Sequence, residues 1–218
     1  MHMMKIYIMR ISFLFLIAVI FISCAHEPVN LGIAKQQLIN YHESGQYDKD
    51  IAAAVENAIN QFDDLTITDS SGVVFDVDET SLSNYEINKK LDFGYVKDEW
   101  NNWIRSAKAP AIPEVKRLYD YLIKRNVRII FITGRKNAQY NYTLENLKRA
   151  GYTVFDTLIT RNDNENNLSA SDYKSRKRVE LTHKGYKIIG DVGDQESDMT
   201  GLYTGIQVRI PNYQYIIY

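Results

Sequence analysis

Apolar residues recur at intervals of three or four between residues 31 and 62, which is typical of helices that bury one face. These positions are Leu38, Tyr41, Ile51, Val55, Ala58, Ile59 and Phe62. Gly45 and Asp48 interrupt the pattern, and both residue types favour turns. The pattern therefore predicts two helices, which we expect to form a packing layer outside the catalytic core.

From residue 73 onward, short apolar runs alternate with amphipathic stretches. The predicted strands cover residues 73–75, 127–132, 154–159, 186–189 and 206–210, and the predicted helices cover residues 115–124, 138–150 and 173–183. Pro113 precedes the first of these helices, and Gly151 and Gly185 follow the other two, as expected at helix ends. The alternation predicts an α/β fold with a mostly parallel sheet flanked by helices on both faces.

Composition limits the number of domains and the class of partner. The 218 residues are 45% hydrophobic and 24% charged, which suits one globular domain with a small insertion at most. The net charge of −1 provides no broad basic field for neutralising phosphate backbones. We therefore expect no nucleic acid polymer among the partners. The sequence does not fix the oligomeric state.

The first 23 residues differ from the rest of the chain. Lys5 and Arg10 are followed by the almost wholly apolar residues 11–22, and Ser23 precedes Cys24. A basic start, an apolar run of about a dozen residues and a small residue before the cleavage point are typical of a secretory signal. The run is shorter than the roughly 20 residues that a spanning helix needs. Residues 1–23 are therefore predicted to be a signal peptide.

Cys24 is the only cysteine, and residues 21–24 resemble a bacterial lipobox, in which the cysteine receives a lipid anchor. This resemblance implies an exported, membrane-anchored lipoprotein of the cell envelope, at the outer membrane or the periplasmic face. A soluble exported protein and an uncleaved anchor are the alternatives. If residues 1–23 are removed, the rest of the chain is predicted to consist of two parts. Residues 24–64 form a tether and the N-terminal helices, and residues 65–218 form the main domain.

Polar clusters follow the predicted strands, at the sheet edge where ligands bind in open α/β folds. Asp76 and Asp78 come directly after the first strand, so both carboxylates can face one ligand, with Thr80 close behind. Like charges held this close repel one another, and a divalent cation relieves the repulsion. The alternative is a turn that caps a following helix.

Two further motifs can bind phosphate oxygens. Thr133 and Gly134 follow the second strand, where a hydroxyl and an adjacent amide form a small anion site. Lys174 lies near a predicted helix start and can supply positive charge to a phosphoryl group. A plain turn and a solvated basic helix face are the alternatives for these two motifs.

The last motif is acidic and glycine-rich. Residues 190–198 read Gly-Asp-Val-Gly-Asp-Gln-Glu-Ser-Asp, which places Asp191, Asp194 and Asp198 after a strand. Clustered carboxylates suit a hard cation that prefers oxygen ligands. An acidic turn with a helix cap at Ser197 is the alternative.

In this order, the four motifs resemble the signature of the haloacid dehalogenase (HAD) superfamily, which reads Asp-x-Asp-x-Thr, then Ser/Thr, then Lys, then an acidic pair. Residues 75–84, 103–113, 131–135, 173–178 and 188–198 resemble its acid phosphatase subfamily IIIB. That group includes plant acid phosphatases, vegetative storage proteins and bacterial lipoprotein e phosphatases. Asp191 departs from the pattern, because an Asn is expected there in the plant relatives.

The resemblance implies a Rossmann-like HAD fold and a Mg²⁺-dependent hydrolysis of small-molecule phosphate monoesters, nucleoside monophosphates among the candidates. Asp76 would be the nucleophile and Asp78 the general acid and base. The metal ligands would be Asp76, the Asp78 carbonyl and Asp194. The groups that bind phosphate would be Thr133, Gly134 and Lys174. The supporting residues would be Thr80 and Asp198.

The long connection after the first motif is predicted to form a small cap at about residues 84–110. It is rich in aromatic residues, among them Trp100 and Trp103. These side chains could stack on a nucleobase or aryl group, or they could simply pack the cap. Arg135 and Arg161, which follow strands, are further candidates for substrate contact.

Two other functions compete with an active phosphatase. A non-catalytic binding or storage-type protein of the same fold would be expected to lack Asp76, which is present here. A receiver domain that accepts phosphate on Asp76 disagrees with the predicted export and with the second acid, Asp78.

Overall fold

The computed structural model describes residues 28–217. The predicted signal peptide and Cys24 lie outside the described residues. The prediction of cleavage and lipid attachment therefore stays a prediction, as does the proposed division into domains.

The chain begins with the two predicted helices, α1 (Leu31–Glu43) and α2 (Gln46–Asp63). They separate at Gly45, whose φ of 79° is left-handed and suits glycine. Helix α2 buries a continuous stripe that includes Ile51, Val55 and Phe62, whereas α1 buries no residue fully. Helix α2 thus belongs to the hydrophobic core, and α1 lies on its outside.

Five parallel strands form one sheet, which confirms the predicted fold class. They are β1 (Ser71–Phe75), β2 (Arg128–Lys136), β3 (Thr157–Arg161), β4 (Lys187–Gly193) and β5 (Ile206–Arg209). Their order in the sheet is β3-β2-β1-β4-β5, and all four pairings are parallel. Strands β2 and β3 lie on one side of β1, and β4 and β5 lie on the other, so the order of strands switches sides next to β1. Ligands are therefore expected at the carboxyl end of this central strand.

The remaining helices are α3 (Tyr85–Lys90), α4 (Lys97–Ser106), α5 (Pro113–Lys124), α6 (Tyr140–Arg149), α7 (Ala170–His183) and the short α8 (Glu196–Met199). Helices α3 and α4 occupy the predicted cap segment between β1 and α5. Strands β2 and β4 extend four residues beyond their predicted ends, to Lys136 and Gly193. The residues at these strand ends are mostly polar or glycine, so the apolar pattern that predicts a strand does not extend to them.

The core lies on both faces of the sheet. Strand β1 is buried along its whole length. On one face, Val73 and Phe75 pack in the larger apolar cluster with residues of α2 and α5. On the other face, Val74 packs with Tyr173 and Leu181 of α7. Burial on both faces explains why the central strands read as continuous apolar runs.

Within residues 28–217, no helix combines the length and the apolar character that a membrane crossing requires.

His42 of α1 is held in an aromatic stack that joins the N-terminal helices to the cap. Its ring centroid lies 4.1 Å from that of Tyr47 in α2 and 4.2 Å from that of Tyr85 in α3. Its Nε2 atom is buried and has no hydrogen-bond partner within the described residues. Burial lowers the pKa of His42 from 6.5 to about 4, against the opposing charges of Asp48 and Glu43.

Acid should therefore weaken the fold through His42. The unfolded chain takes up a proton near pH 6.5, whereas the folded chain does so only near pH 4. The stability contributed by the neutral histidine is complete above pH 6.5 and is lost as the pH falls from there to about 4. We expect His42→Phe, which keeps a ring between the two tyrosines, to lose less free energy of unfolding than wild type between about pH 7.5 and about pH 4.5.

Urea unfolding at the two pH values measures this difference. The matched control is His183→Phe at the exposed end of α7, which should respond to acid as wild type does. An equal loss in wild type and His42→Phe would contradict the assignment.

Candidate active site

A buried lysine lies between two buried carboxylates at the carboxyl end of the sheet. Asp76 follows β1, Asp198 lies in α8 after β4, and Lys174 projects from the second turn of α7. The Lys174 ammonium group donates to Asp76 Oδ1 at 2.5 Å and also to Asp198 Oδ1. Burial alone would lower the pKa of Lys174, but the charges of Asp198 and Asp76 outweigh it and raise the pKa above its ordinary value.

Asp194 lies close to Asp76, in the loop between β4 and α8. Its Oδ1 accepts from the Thr80 hydroxyl at 3.2 Å. Its Oδ2 accepts from the side-chain amides of Gln195 at 2.5 Å and Asn212 at 2.6 Å. These three donors fix the orientation of the carboxylate toward Asp76.

The carboxylates of Asp76, Asp194 and Asp198 form a cluster that fits a divalent cation. One oxygen from each lies within 4.8 Å of the others, and all three residues are buried. Burial, together with Asp198, raises the pKa of Asp194 to about 6. Burial also raises the pKa of Asp76, in spite of Lys174, and Asp198 and Asp194 add to the effect. One lysine therefore does not balance three buried acids, and oxygen ligands of this kind suit a hard cation.

Thr133 and Gly134 lie near the end of β2, which pairs with β1, the strand that Asp76 follows. The Thr133 hydroxyl is buried and accepts from the backbone N–H of Arg135 at 3.1 Å. Gly134 lines the cleft in front of the acids, and no heavy atom lies within 4 Å of the position that a Cβ would take. This open space leaves the backbone accessible to a bound oxyanion.

The Asp78 side chain is held by two partners that the sequence analysis did not assign to it. The Arg135 guanidinium forms a forked ion pair with its carboxylate, with Nε 3.0 Å from Oδ2 and Nη2 2.7 Å from Oδ1. The side-chain amide of Asn84 donates to Asp78 Oδ1 at 2.8 Å and in turn accepts from Trp103 Nε1 at 2.8 Å. Trp103 thus ties the cap helix α4 to the carboxylate of the first motif.

A C-terminal segment, residues 211–217, crosses the same edge of the sheet after β5. Its Asn212 contacts Asp194, and the Tyr215 hydroxyl donates to the buried Glu79 carboxylate. Burial, with the nearby charge of Asp78, raises the pKa of Glu79 to about 8. The Gln214 side chain accepts from Asn88 of α3 at 2.8 Å. The segment therefore connects the acidic loop after β4 with the first motif and the cap.

The acids open into one cleft of about 880 Å³. Its aromatic wall consists of Phe93, Tyr95, Trp100, Tyr142 and Tyr215. Trp100 therefore lines the cleft, whereas Trp103 packs beneath it and orients Asn84. Contact between Trp100 and a substrate stays a prediction. The cleft is larger than the scissile phosphate alone needs, which leaves room for a leaving group of substantial size.

The structure brings the predicted site residues together at one sheet edge. The first motif follows β1, the second lies near the end of β2, and the fourth runs from the end of β4 into α8. Lys174 reaches them from α7. Asp198, predicted as a supporting residue, lies within the carboxylate cluster itself. Asp191 does not. It is buried in β4 and lies 3.5 Å from the Arg178 guanidinium.

Sequence reasoning missed Asn84, Glu79 and the C-terminal segment. One signal was available for the last of these. A segment that leaves the carboxyl end of a parallel strand must start at the ligand-binding edge, and residues 211–217 are rich in polar and aromatic side chains. No comparable signal marked Asn84, because its contacts depend on how the cap folds back.

Comparison with known proteins identifies the family. The profile of the HAD superfamily, subfamily IIIB (acid phosphatase), matches residues 25–217. The fold is similar to the crystal structure of the class C acid phosphatase from Bacillus anthracis with tungstate bound, with a TM-score of 0.69 and 23% identity over 84% of this chain and 86% of that one. The chain belongs to the HAD superfamily, subfamily IIIB. It is accordingly a phosphoric monoester hydrolase of the acid phosphatase type.

Curated plant proteins are similar in sequence. The stem 28 kDa glycoprotein of Glycine max is 33% identical over 81% of this chain and 72% of its own length. Acid phosphatase 1 of Solanum lycopersicum is 32% identical over 66% of this chain and 58% of its own. Vegetative storage protein 2 of Arabidopsis thaliana is 34% identical over 66% of this chain and 56% of its own. The aligned region thus spans little more than half of the last two proteins.

Proposed function

We propose that the chain is a Mg²⁺-dependent acid phosphatase that hydrolyses small-molecule phosphate monoesters through an aspartyl phosphate on Asp76. The contact between Lys174 and Asp76 Oδ1 carries this proposal. This contact holds the Asp76 carboxylate at the carboxyl end of β1, beside the positive charge of Lys174. The adjoining cleft can admit an ester. Nucleoside monophosphates are candidate substrates, supported by the aromatic wall of the cleft.

In the first step, an Asp76 oxygen attacks phosphorus and the bond to the leaving oxygen breaks. The Asp78 carboxyl group gives its proton to that leaving oxygen, so that an alcohol departs. The fork of Arg135 and the amide of Asn84 set the direction in which Asp78 points. Thr133 and the Gly134 amide bind the non-bridging oxygens, as does Lys174, whose charge offsets that of the incoming phosphate.

In the second step, water attacks phosphorus and the bond to Asp76 breaks. The Asp78 carboxylate takes the proton from this water, which returns both aspartates to their starting states and releases phosphate. When bound, Mg²⁺ supplies further charge neutralisation between the carboxylates and the phosphate. Asp76, the Asp78 carbonyl and Asp194 would hold it, with Thr80 and Asn212 bracing Asp194 and Asp198 bracing Lys174.

The alternative, a non-catalytic storage-type protein, draws support from the similarity to vegetative storage protein 2. The intact series of Asp76, Asp78, Lys174 and Asp194 favours catalysis, since a binding protein gains nothing from a buried nucleophile that it does not use. We also propose that the protein is exported and anchored through a lipid on Cys24, on the strength of its N-terminal sequence.

Asp76→Asn should abolish turnover while the protein stays folded, because an amide oxygen is too weak a nucleophile. We expect a loss of several orders of magnitude in kcat, on the order of 5 kcal/mol or more in the barrier. Steady-state kinetics on phosphate esters, with circular dichroism as the check on folding, measures this. Residual activity within about tenfold of wild type would rule out Asp76 as the nucleophile.

Removal of divalent cations should silence the wild-type enzyme, and Mg²⁺ should restore it. Asp194→Asn should not be restored at the same Mg²⁺ concentration, because it removes one carboxylate from the cluster. Glu196→Gln is the matched control, since this neighbouring acid has a side chain 88% exposed and lies outside the cluster. Hydrolysis that continues unchanged in excess EDTA would contradict the metal dependence.

A further inference from the structure

A pair of basic side chains lies at the far end of the cleft, away from the carboxylate cluster. Lys136 ends β2 and Arg161 ends β3, and the two residues are direct partners in the register of these parallel strands. Both line the cleft that contains Asp76. Side chains at paired positions of parallel strands leave the sheet on the same side, so two positive charges are placed next to each other.

Within residues 28–217, no carboxylate forms an ion pair with either residue, since no acidic oxygen lies within 4.0 Å of the Lys136 ammonium or the Arg161 guanidinium. The acids that line the cleft are Asp76, Asp78 and Asp194, and each of them is engaged at the catalytic end. Like charges held side by side without a counter-ion repel one another, and a bound anion would relieve this repulsion.

Arg161 is held in place rather than free in solvent. Its two terminal nitrogens donate to the carbonyl oxygens of Leu168 at 3.4 Å and Ser169 at 3.3 Å. Its guanidinium carbon lies 4.5 Å from the ring centroid of Tyr173. Its Nε is buried and has no hydrogen-bond partner within the described residues. These contacts fix the orientation of the guanidinium, which places a fixed positive charge beside the cleft.

The pair extends across the sheet, away from the scissile phosphate. Arg161 ends β3, which lies two strands from β1, and this corresponds to about 10 Å across the sheet. Lys174, which contacts Asp76, already provides positive charge at the catalytic end. Two more basic residues of the cap helix, Lys97 and Arg105, line the same cleft, so the positive character extends to the cap side.

We infer that Lys136 and Arg161 form a second anion subsite, and that the preferred substrates are phosphate monoesters that carry another phosphate or carboxylate group several bonds from the scissile phosphate. This inference rests on the proposed function, because it takes the scissile phosphate to lie at Asp76. It narrows the substrate class from phosphate monoesters in general to esters with a second anionic group.

Alkanediol phosphates test the subsite with the chemistry of the leaving group held constant. The comparison is between the bisphosphate and the monophosphate of the same diol, for a three-carbon and a six-carbon chain. A bisphosphate has two equivalent scissile groups, so kcat/KM should rise about twofold without any subsite. We define the ratio as kcat/KM for the bisphosphate divided by kcat/KM for the monophosphate. For the six-carbon diol in wild type we expect a ratio of about tenfold or more, since only the six-carbon linker spans the distance to the subsite. The three-carbon ratio should stay near two.

Three variants assign the effect to the pair. Lys136→Met alone changes an exposed side chain and should lower the six-carbon ratio. The double variant Lys136→Met with Arg161→Met should bring the six-carbon ratio to about two, because neither basic side chain is left to attract the second anionic group of the substrate. The matched control is Lys148→Met, which removes one exposed positive charge from α6, outside the cleft, and should leave the ratio as in wild type. Thermal unfolding verifies that each variant is folded.

A six-carbon ratio of about two in wild type, or a ratio that the double variant leaves unchanged, would overturn the subsite. So would an equal decrease in Lys148→Met, which would indicate general electrostatic attraction. Calorimetric binding of the corresponding bisphosphonate and monophosphonate separates this failure from failure of the proposed function. These ligands are not hydrolysed, so a binding preference for the bisphosphonate that disappears in the double variant supports the subsite even if no ester is turned over.

Discussion

The active site depends on the placement of several charges in a buried position at the end of one strand. Lys174 contacts both Asp76 and Asp198 while all three are almost completely buried. Removal of one partner from such a group is costly, because it leaves an unpaired charge in a medium of low polarity. The Lys174 contacts also determine the local geometry, since they join α7 and α8 to the end of β1. A third acid, Asp194, leaves the cluster with excess negative charge that a cation can balance.

The topology of the sheet makes this placement possible. Because β1 is central in the order β3-β2-β1-β4-β5, its carboxyl end lies between those of β2 and β4. Residues far apart in the sequence, such as Thr133 and Asp194, therefore converge on Asp76 without any long loop. The outer strand β3 contributes Arg161 farther from the centre. The same parallel arrangement thus separates a catalytic end of the cleft from the basic end that we infer to bind a second anion.

The fold and the central acids could be predicted from the sequence, because both depend on local patterns. Apolar runs marked the strands. Asp76 follows directly after the first run, and Asp194 lies in the acidic, glycine-rich motif that follows the fourth. The partners of Asp78 could not be predicted, since Asn84 meets it only through the fold of the cap segment and Arg135 only through the pairing of β2 with β1. The pairing of Lys136 with Arg161 was hidden for a related reason. It depends on the register of two strands whose last residues are polar and carry no periodic signal.

Chemical trapping of the phosphorylated residue tests the central claim most directly. Borohydride reduces an aspartyl phosphate to homoserine, and peptide mass spectrometry locates the change. After rapid mixing of enzyme, Mg²⁺ and a phosphate monoester, quenching into borohydride should give homoserine at position 76 and at no other aspartate. Without substrate, position 76 should remain aspartate. Unmodified Asp76 during verified turnover, or homoserine at Asp78 or Asp194 in its place, would contradict the account.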